Sequence, residues 1–564
     1  MGQVSDINQN FLWVTLKDEN ELAEGSKIDV LEIESVVSYD LQLDLLQDIK
    51  NGKIPRDTAP VNFFLSSKIL TNLPDKNQRE LLKDRNAIDD NVALDDSQVA
   101  SVENALSLKD GEFLLIIGPP GTGKTKVIKK IAYEFMKRGK RVLIASHTNM
   151  AVDNAIQGLP LNKTLRVGRP NKVSHLSKDY LLSSRAKHPE GRHFESLETE
   201  IENKTKRRRE LQKISEQNPL HHELRNELAK LNRELKELEA ELNDMLRKKR
   251  RELLKETPII GSTLVASRLP PMTEVEFDVV IMDECSQASV SLALLAMTKG
   301  KKWILVGDHN QLLPIFKDVG QAKLEELSVF NHLRNKYHCR STWLEFAYRS
   351  NTKIVEFPAK YVYEGKIRSF DKGESDKIKL NLKRKVTMPR IEVLDPEKPV
   401  VFIHVDGKEE GTGSKCNEKE KEVCWEIVRM LADSGVNSDD VGVIAPYKSQ
   451  VQRLKLGIKN AEVKTVDSFQ GREKDVIIFC VTATNEYSLR FASNVNRLNV
   501  ALTRPRCKLI VIGNGRPITA ERHKVSQENW HRDHLLLCFL TYVANEKSIY
   551  LWDKMCWSTQ TLSA

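Results

Sequence analysis

The sequence predicts an α/β protein: two parallel-sheet lobes facing a common crevice, a small β-containing module at the N-terminal end, and an antiparallel helical hairpin inserted into the first lobe. Short β-branched runs at Phe113 to Ile117, Arg141 to Ala145, Phe277 to Met282 and Trp303 to Val306 alternate with amphipathic stretches, the pattern of parallel strands covered by helices. A second series, Val400 to Val405, Val441 to Ala445, Val476 to Val481 and Leu509 to Ile512, starts only after a long mixed stretch and so reads as a lobe of its own. Between about Glu195 and Glu256 the composition collapses to Lys, Arg, Glu and Leu, which marks long exposed helices.

In chain order, residues 1–88 read as an accessory module, β-barrel-like with a stalk helix. Its signals are the apolar run Phe11-Leu12-Trp13-Val14 and a period-2 alternation over Ile28 to Ile33 that slips at Leu31. Residues 89–175 and 257–344 form the two parts of the first lobe, 176–256 the inserted hairpin, and 345–564 the second lobe. In the second hairpin arm, Leu224, Leu228, Leu231, Leu235, Leu238, Leu242 and Met245 alternate spacings of four and three, the seam along which one helix packs on another. The first arm repeats it less cleanly at Leu197, Ile201, Leu211 and Ile214, and Gln217-Asn218-Pro219 supplies the break between arms. The basic clusters Lys206 to Arg209 and Arg247 to Arg251 suit either a nucleic-acid contact or a solvated face, because nearby glutamates almost balance them.

At 564 residues the chain has room for several domains. Its longest apolar run, Leu535 to Ala544, is far short of the ~18 residues that span a bilayer, which excludes a helical membrane protein. The start, MGQVSDINQN, lacks a signal-peptide pattern, and Asp6 stands where a myristoylation motif needs Ser or Thr. Eight cysteines include no C-x-x-C pair, so neither a disulfide framework nor a zinc ribbon is indicated. A cytoplasmic location is expected, or a nuclear one in a eukaryote. The net charge of +9 is mild for this length and favours a polyanionic partner only weakly.

Chemistry enters at Gly118-Pro119-Pro120-Gly121-Thr122-Gly123-Lys124-Thr125, a G-x-x-x-x-G-K-T string directly after a strand and before a helix. Glycines there let backbone N–H groups turn inward around a β-phosphate, Lys124 reaches the β/γ-oxygens, and Thr125 offers a hydroxyl to Mg²⁺. The strand Val279 to Met282 runs into Asp283-Glu284, which places adjacent carboxylates at the carboxyl edge of the same sheet. Asp283 suits Mg²⁺ held through water, and Glu284 suits polarisation of an attacking water. A further strand ends in Gly307-Asp308-His309-Asn310-Gln311, where the Gln311 amide could sense a γ-phosphate.

These strings, with others in the same order, resemble the superfamily 1 helicases, and more closely the subgroup-B branch of the up-frameshift RNA helicases, senataxin and the immunoglobulin-mu-binding-protein helicase. The likeness runs from about Leu94 to Asn514. It includes Leu94-Asp95-Asp96-Ser97-Gln98, similar to an adenine-reading Q motif, and Ser146 to Asp153 (SHTNMAVD). In the second lobe it includes Ala445 to Gln450 (APYKSQ), Thr465 to Asp475 (TVDSFQGREKD) and Arg497 to Arg504 (RLNVALTR). The resemblance implies two RecA-like lobes, with Gln98 on the adenine edge, Tyr348 stacked on the base and Glu473 on the ribose. It implies Arg349 and Arg504 as in-chain arginine fingers on the γ-phosphate, with Lys124, Glu284 and Gln311 completing the catalytic set. Two departures from the family pattern stand out: Ser350-Asn351-Thr352 replaces Met-His-Pro, and Cys285 replaces alanine after the acid pair.

For nucleic acid, the resemblance implies Thr148, Asn149, Ser262 and Thr263 on the first lobe and Tyr447, Lys448 and Ser468 on the second. With aromatics only 6% of the chain, backbone tracking is favoured over base stacking. The expected function is an ATP- and Mg²⁺-dependent helicase or translocase. It acts as a monomer on single-stranded and partly duplex RNA or DNA, and family analogy gives 5′ to 3′ movement. An ATP-dependent clamp or nucleoprotein remodeller that does not separate strands would carry the same motifs.

Overall fold

The computed structural model describes residues 2–8, 11–16, 34–55, 58–65, 73, 79–88, 92–186, 192–217, 222–316, 319–384, 389–520 and 534–552. Two parallel sheets organise it. The first has seven strands in the spatial order Thr164–Val167, Ile259–Thr263, Val142–Ser146, Val279–Asp283, Lys302–Gly307, Phe113–Ile117 and Ser341–Trp343. The second has six, in the order Glu462–Thr465, Val441–Ala445, Lys474–Cys480, Pro505–Gly513, Val400–His404 and Ile549–Leu551. Near-continuous apolar strands follow from burial on both faces. In Phe113–Ile117, Phe113, Leu115 and Ile117 enter one core while Leu114 and Ile116 enter the core on the other face. Val401 and Ile403 separate from Phe402 in the same way in the second lobe.

Five strands of these two sheets escape a reading by β-branched runs. Ile259–Thr263 begins three residues after a 35-residue helix and contains Gly261, where a Cβ would come within 2.7 Å of Ile156 Cγ2. Thr164–Val167 carries the fully buried Arg166, which donates to Asp153 at 2.7 Å and Asn149 at 2.8 Å. Ser341–Trp343, Ile549–Leu551 and the polar Glu462–Thr465 are short edge strands.

The hairpin is Arg192–Gln217 packed on His222–Glu256. Leu197, Leu211 and Leu235 of the seam are buried, and Lys204 to Glu234 (2.6 Å) and Arg207 to Glu227 (3.2 Å) pin the register across it. Packing loosens at Ile214, which is 42% exposed. Residues 218–221, including Asn218 and Pro219, lie outside the described residues.

Among the described residues of 1–88 the only strands are Gly2–Asn8 and Phe11–Leu16, a two-stranded antiparallel pair; Ile28 to Ile33 lie outside the described residues. The helix Glu34–Lys50 lays Leu45 and Ile49 into the first lobe's core, and Gln42 accepts a hydrogen bond from Ser291 at 2.6 Å. The apolar run noted near the C-terminal end is the helix Leu535–Asn545, packed into the second lobe. No helix among the described residues is long and apolar enough to cross a membrane.

One buried acid makes the second lobe sensitive to pH. Glu420 is fully buried, accepts from the Thr482 N–H at 2.8 Å and the Asn417 amide at 3.2 Å, and is pushed by burial from its ordinary 4.5 up to about 8. A carboxyl raised on folding keeps its proton in the native state, so its contribution to stability is full at low pH and is lost as pH rises from about 4.5 through about 8. Thermal unfolding followed across that range is expected to show a decline that Glu420→Gln flattens; an equal decline in the variant would contradict this.

Candidate nucleotide site in the interlobe cleft

The phosphate loop leaves the buried strand Phe113–Ile117 and enters the helix Lys124–Lys137, so unpaired N–H groups of the first helical turn point into the loop. Gly121 and Gly123 have φ of 75° and 82°, a left-handed backbone that side chains resist. A Cβ on Gly123 would also lie 2.5 Å from Gln98 Nε2, and one on Gly121 would lie 2.8 Å from Arg349 Cβ. Lys124 donates to the Gly118 carbonyl at 2.6 Å, folded back onto its own loop. Thr125 is the next residue, in the same helical turn. Gln98 is buried with its amide tied at both ends: Nε2 donates to Thr122 O at 3.0 Å, and Oε1 accepts from Asp95 N at 3.2 Å in a capping box. The helix Asp96–Leu106 is thereby locked to the loop.

At the neighbouring strand end, Asp283 is buried and accepts from the Glu284 N–H at 2.9 Å. Burial, then the Glu284 charge, push its carboxyl up, and Lys124 pulls the other way. Glu284 adopts a left-handed φ of 54°. Its Oε2 accepts from Gln287 at 3.3 Å and from Gln470, which belongs to the second lobe, at 2.9 Å. Cys285 is buried and donates to Met282 O, so a thiol fits where the family has alanine.

The third strand end carries the densest network. Asp308 Oδ2 accepts from Gln311 Nε2 at 2.9 Å and from the Tyr363 hydroxyl at 2.5 Å. Tyr363 in turn accepts from Asn499 at 2.8 Å, and Asn496 donates to the Gln311 carbonyl at 2.5 Å. With its nitrogen held by Asp308, Gln311 presents Oε1 to Arg504, whose Nη2 donates at 3.1 Å. Arg504 is buried, and desolvation, then the nearby Arg349 charge, lower it to about 10. Arg349 is paired with Glu473 at 2.5 Å, so the acid expected on a ribose here holds a finger arginine. The two arginines therefore approach the loop from the second lobe and meet Gln311 of the first.

Tyr348 is 37% exposed, donates to Asp95 at 2.5 Å, and lies against Phe370 with ring centroids 4.6 Å apart and planes 31° apart. Phe370, itself 53% exposed, widens the aromatic surface beside the loop and has no sequence motif to announce it. Ser350-Asn351-Thr352 are all buried. Ser350 donates to Pro505 O at 2.7 Å, and Asn351 caps the helix Thr352–Tyr361, so the departure from the family pattern builds a helix start.

The nucleic-acid candidates are spread over both lobes. Thr148 caps the helix Asn149–Ile156, and Asn149 accepts from Arg166. Thr263 is partly exposed, and Ser262 is fully buried, its hydroxyl donating to Thr263 O at 3.2 Å. On the second lobe Lys448 and Ser468 are exposed. Tyr447 is half-buried, donates to Ser488 O at 2.9 Å and packs on Phe491.

Two family models, each described as an AAA domain, match residues 93–318 and 325–516. An uncharacterized ATP-dependent helicase of Methanocaldococcus jannaschii is 32% identical over 75% of this chain and 68% of its own length. The DNA polymerase alpha-associated DNA helicase A of Saccharomyces cerevisiae is 29% identical over 87% of this chain and 74% of its own. The DNA-binding protein SMUBP-2 of Mesocricetus auratus is 30% identical over 76% of this chain, which spans 43% of that protein. The chain belongs to the superfamily 1 helicases, in their up-frameshift-like branch. Membership in this ATP-hydrolysing helicase family accounts for the placement of the loop, the acid pair and the arginines around one cleft.

In this helicase the Tyr363 hydroxyl is the only side-chain donor from the second lobe to Asp308 among the described residues. Removing it in Tyr363→Phe leaves a buried carboxylate short of a partner, and a loss of about 1–3 kcal/mol is expected in denaturant unfolding. Unchanged stability would mean that Asp308 is not held as described.

Proposed function

We propose that the chain is a motor that hydrolyses ATP with Mg²⁺, moves along single-stranded RNA or DNA, and separates the duplex ahead of it. The observation that carries this reading is the bond from Arg504 to Gln311, because it sets a buried cation of one lobe against the γ-phosphate sensor of the other. Lys124, freed from Gly118, is the group for the β/γ-phosphates. Arg349 and Arg504 supply planar cations where charge shifts in hydrolysis. Glu284 takes a proton from the attacking water, and Gln311 senses the terminal phosphate. Tyr348 faces the nucleoside, joined by Glu473 once Arg349 turns to phosphate and by Gln98 once its amide leaves Thr122 and Asp95.

Thr125 and Asp283 are the oxygen donors for Mg²⁺. The fit rests on Asp283, a buried carboxylate whose ionised form a cation would favour, in a hard oxygen set of the kind this ion prefers. Bound there, Mg²⁺ would neutralise charge on the β- and γ-oxygens. Exposed Lys448 and Ser468, with Thr148, Asn149 and Thr263, are suited to phosphodiester oxygens and carry no base preference. Closing on the γ-phosphate and opening after its loss alternates the spacing of these contacts, which is what a stepping motor needs. Movement 5′ to 3′ rests on family likeness.

Lys124→Ala and Glu284→Gln are each expected to lower strand-stimulated ATP turnover by at least about a hundredfold; vigorous turnover in Glu284→Gln would remove its assigned role. Tyr348→Ala is expected to raise KM for ATP by about tenfold with kcat little changed, as loss of a stacking face predicts. Unwinding of matched RNA and DNA duplexes with a 5′ or a 3′ overhang tests the motor itself. Release only from 5′ overhangs supports the polarity, while strand-stimulated hydrolysis with no release from any substrate would identify a clamp.

A further inference from the structure

Gln470 stands at the end of the short helix Val466–Phe469 in the second lobe, two residues after the exposed Ser468. Its amide reaches across the cleft. Nε2 donates to Glu284 Oε2 at 2.9 Å, while Oε1 is buried and has no hydrogen-bond partner among the described residues. A buried acceptor left alone costs about 1–3 kcal/mol, so such atoms tend to mark a place where a ligand or water completes the bonding. Here the unsatisfied oxygen belongs to the same amide that grips the carboxylate read as the general base.

We infer that Gln470 is a positioning residue for the attacking water, an inference that rests on the ATPase reading above. With its nitrogen tied to Glu284, its carbonyl oxygen is held beside that carboxylate, so one water can donate one proton to Glu284 and the other to Gln470 Oε1. That arrangement turns an oxygen lone pair of the water outward. In the hydrolytic step the water oxygen bonds to the γ-phosphorus, and the bond from that phosphorus to the β–γ bridging oxygen breaks with its electron pair leaving on ADP. Glu284 takes one water proton, and the second stays on the new phosphate oxygen, steadied until then by Gln470. Neither acceptor suffices by itself, since a water held by one bond still rotates.

Because Gln470 arrives with the second lobe, the water is fixed only when the lobes are together. Its place next to Ser468 puts a nucleic-acid candidate and a water-holding amide on one short turn, so engagement of a strand is felt at the reacting water.

The test compares wild type, Gln470→Leu, Glu284→Gln and the double variant in strand-saturated and strand-free ATPase assays, with single-turnover measurements for the slow variants. Affinity for a fluorescent non-hydrolysable ATP analogue is measured alongside. The expected result is a fall in kcat of about a hundredfold in Gln470→Leu, with KM for ATP and analogue affinity within about threefold. In the Glu284→Gln background the same change is expected to cost less than about twofold, because both residues act on one water. The inference is overturned by an unchanged kcat, by equal losses in the two backgrounds, or by lost analogue affinity, which would make Gln470 a brace. A rise in strand-free turnover, which would make it a brake on Glu284, also overturns it. Wild-type protein with no strand-stimulated hydrolysis would instead defeat the underlying ATPase reading.

Discussion

The constraint on which the structure depends is that buried charges from two lobes must share one cleft. Asp283, Asp308 and Arg504 are each desolvated, and none of them lies on a flexible surface loop where water could compensate. Isolated charges in such places are costly, so each is held by partners of fixed geometry. Parallel sheets make this possible, because every strand of one sheet ends on the same edge. Phe113–Ile117, Val279–Asp283 and Lys302–Gly307 deliver the loop lysine, the acid pair and Asp308 side by side.

The join between lobes has a matching character. Asn496, Asn499, Tyr363 and Gln470 reach across mainly through side-chain amides and a hydroxyl. Such bonds are directional but individually modest once water is counted as the alternative. An interface of this kind fixes a register when closed and can be exchanged for water when opened. That suits a cleft whose state is to be set by the charge of a bound phosphate. Apolar contact is not absent, since Leu312, in the segment after the first-lobe strand Lys302–Gly307, is buried in the second lobe's core beside the polar contacts of Asn310 and Gln311.

Much of the site was legible in the sequence because its residues sit in contiguous strings set by local geometry. A glycine loop before a helix and acids at a strand end are short-range patterns, and the structure brings Lys124, Asp283, Glu284, Gln311, Arg349 and Arg504 to one cleft. The residues that no motif reading singled out act at long range. Tyr363 and Phe370 lie beyond any phosphate-binding string, and Gln470 and Asn499 stand inside quoted strings without a chemistry of their own until the opposite lobe is in place. The fold divides similarly. Strands buried on both faces declared themselves through β-branched runs, whereas Thr164–Val167 hides a core arginine and Ile259–Thr263 follows a long helix without a turn signal.

A motor of this kind requires one phosphoryl group to be gripped from both sides of the cleft. A crystal structure with Mg²⁺ and a non-hydrolysable ATP analogue measures this directly. Lys124 Nζ and the Arg504 guanidinium are expected within about 3 Å of oxygens on the same terminal phosphate, with Lys124 released from Gly118. An analogue held by Lys124 alone, with Arg504 turned away and the lobes parted, would contradict this.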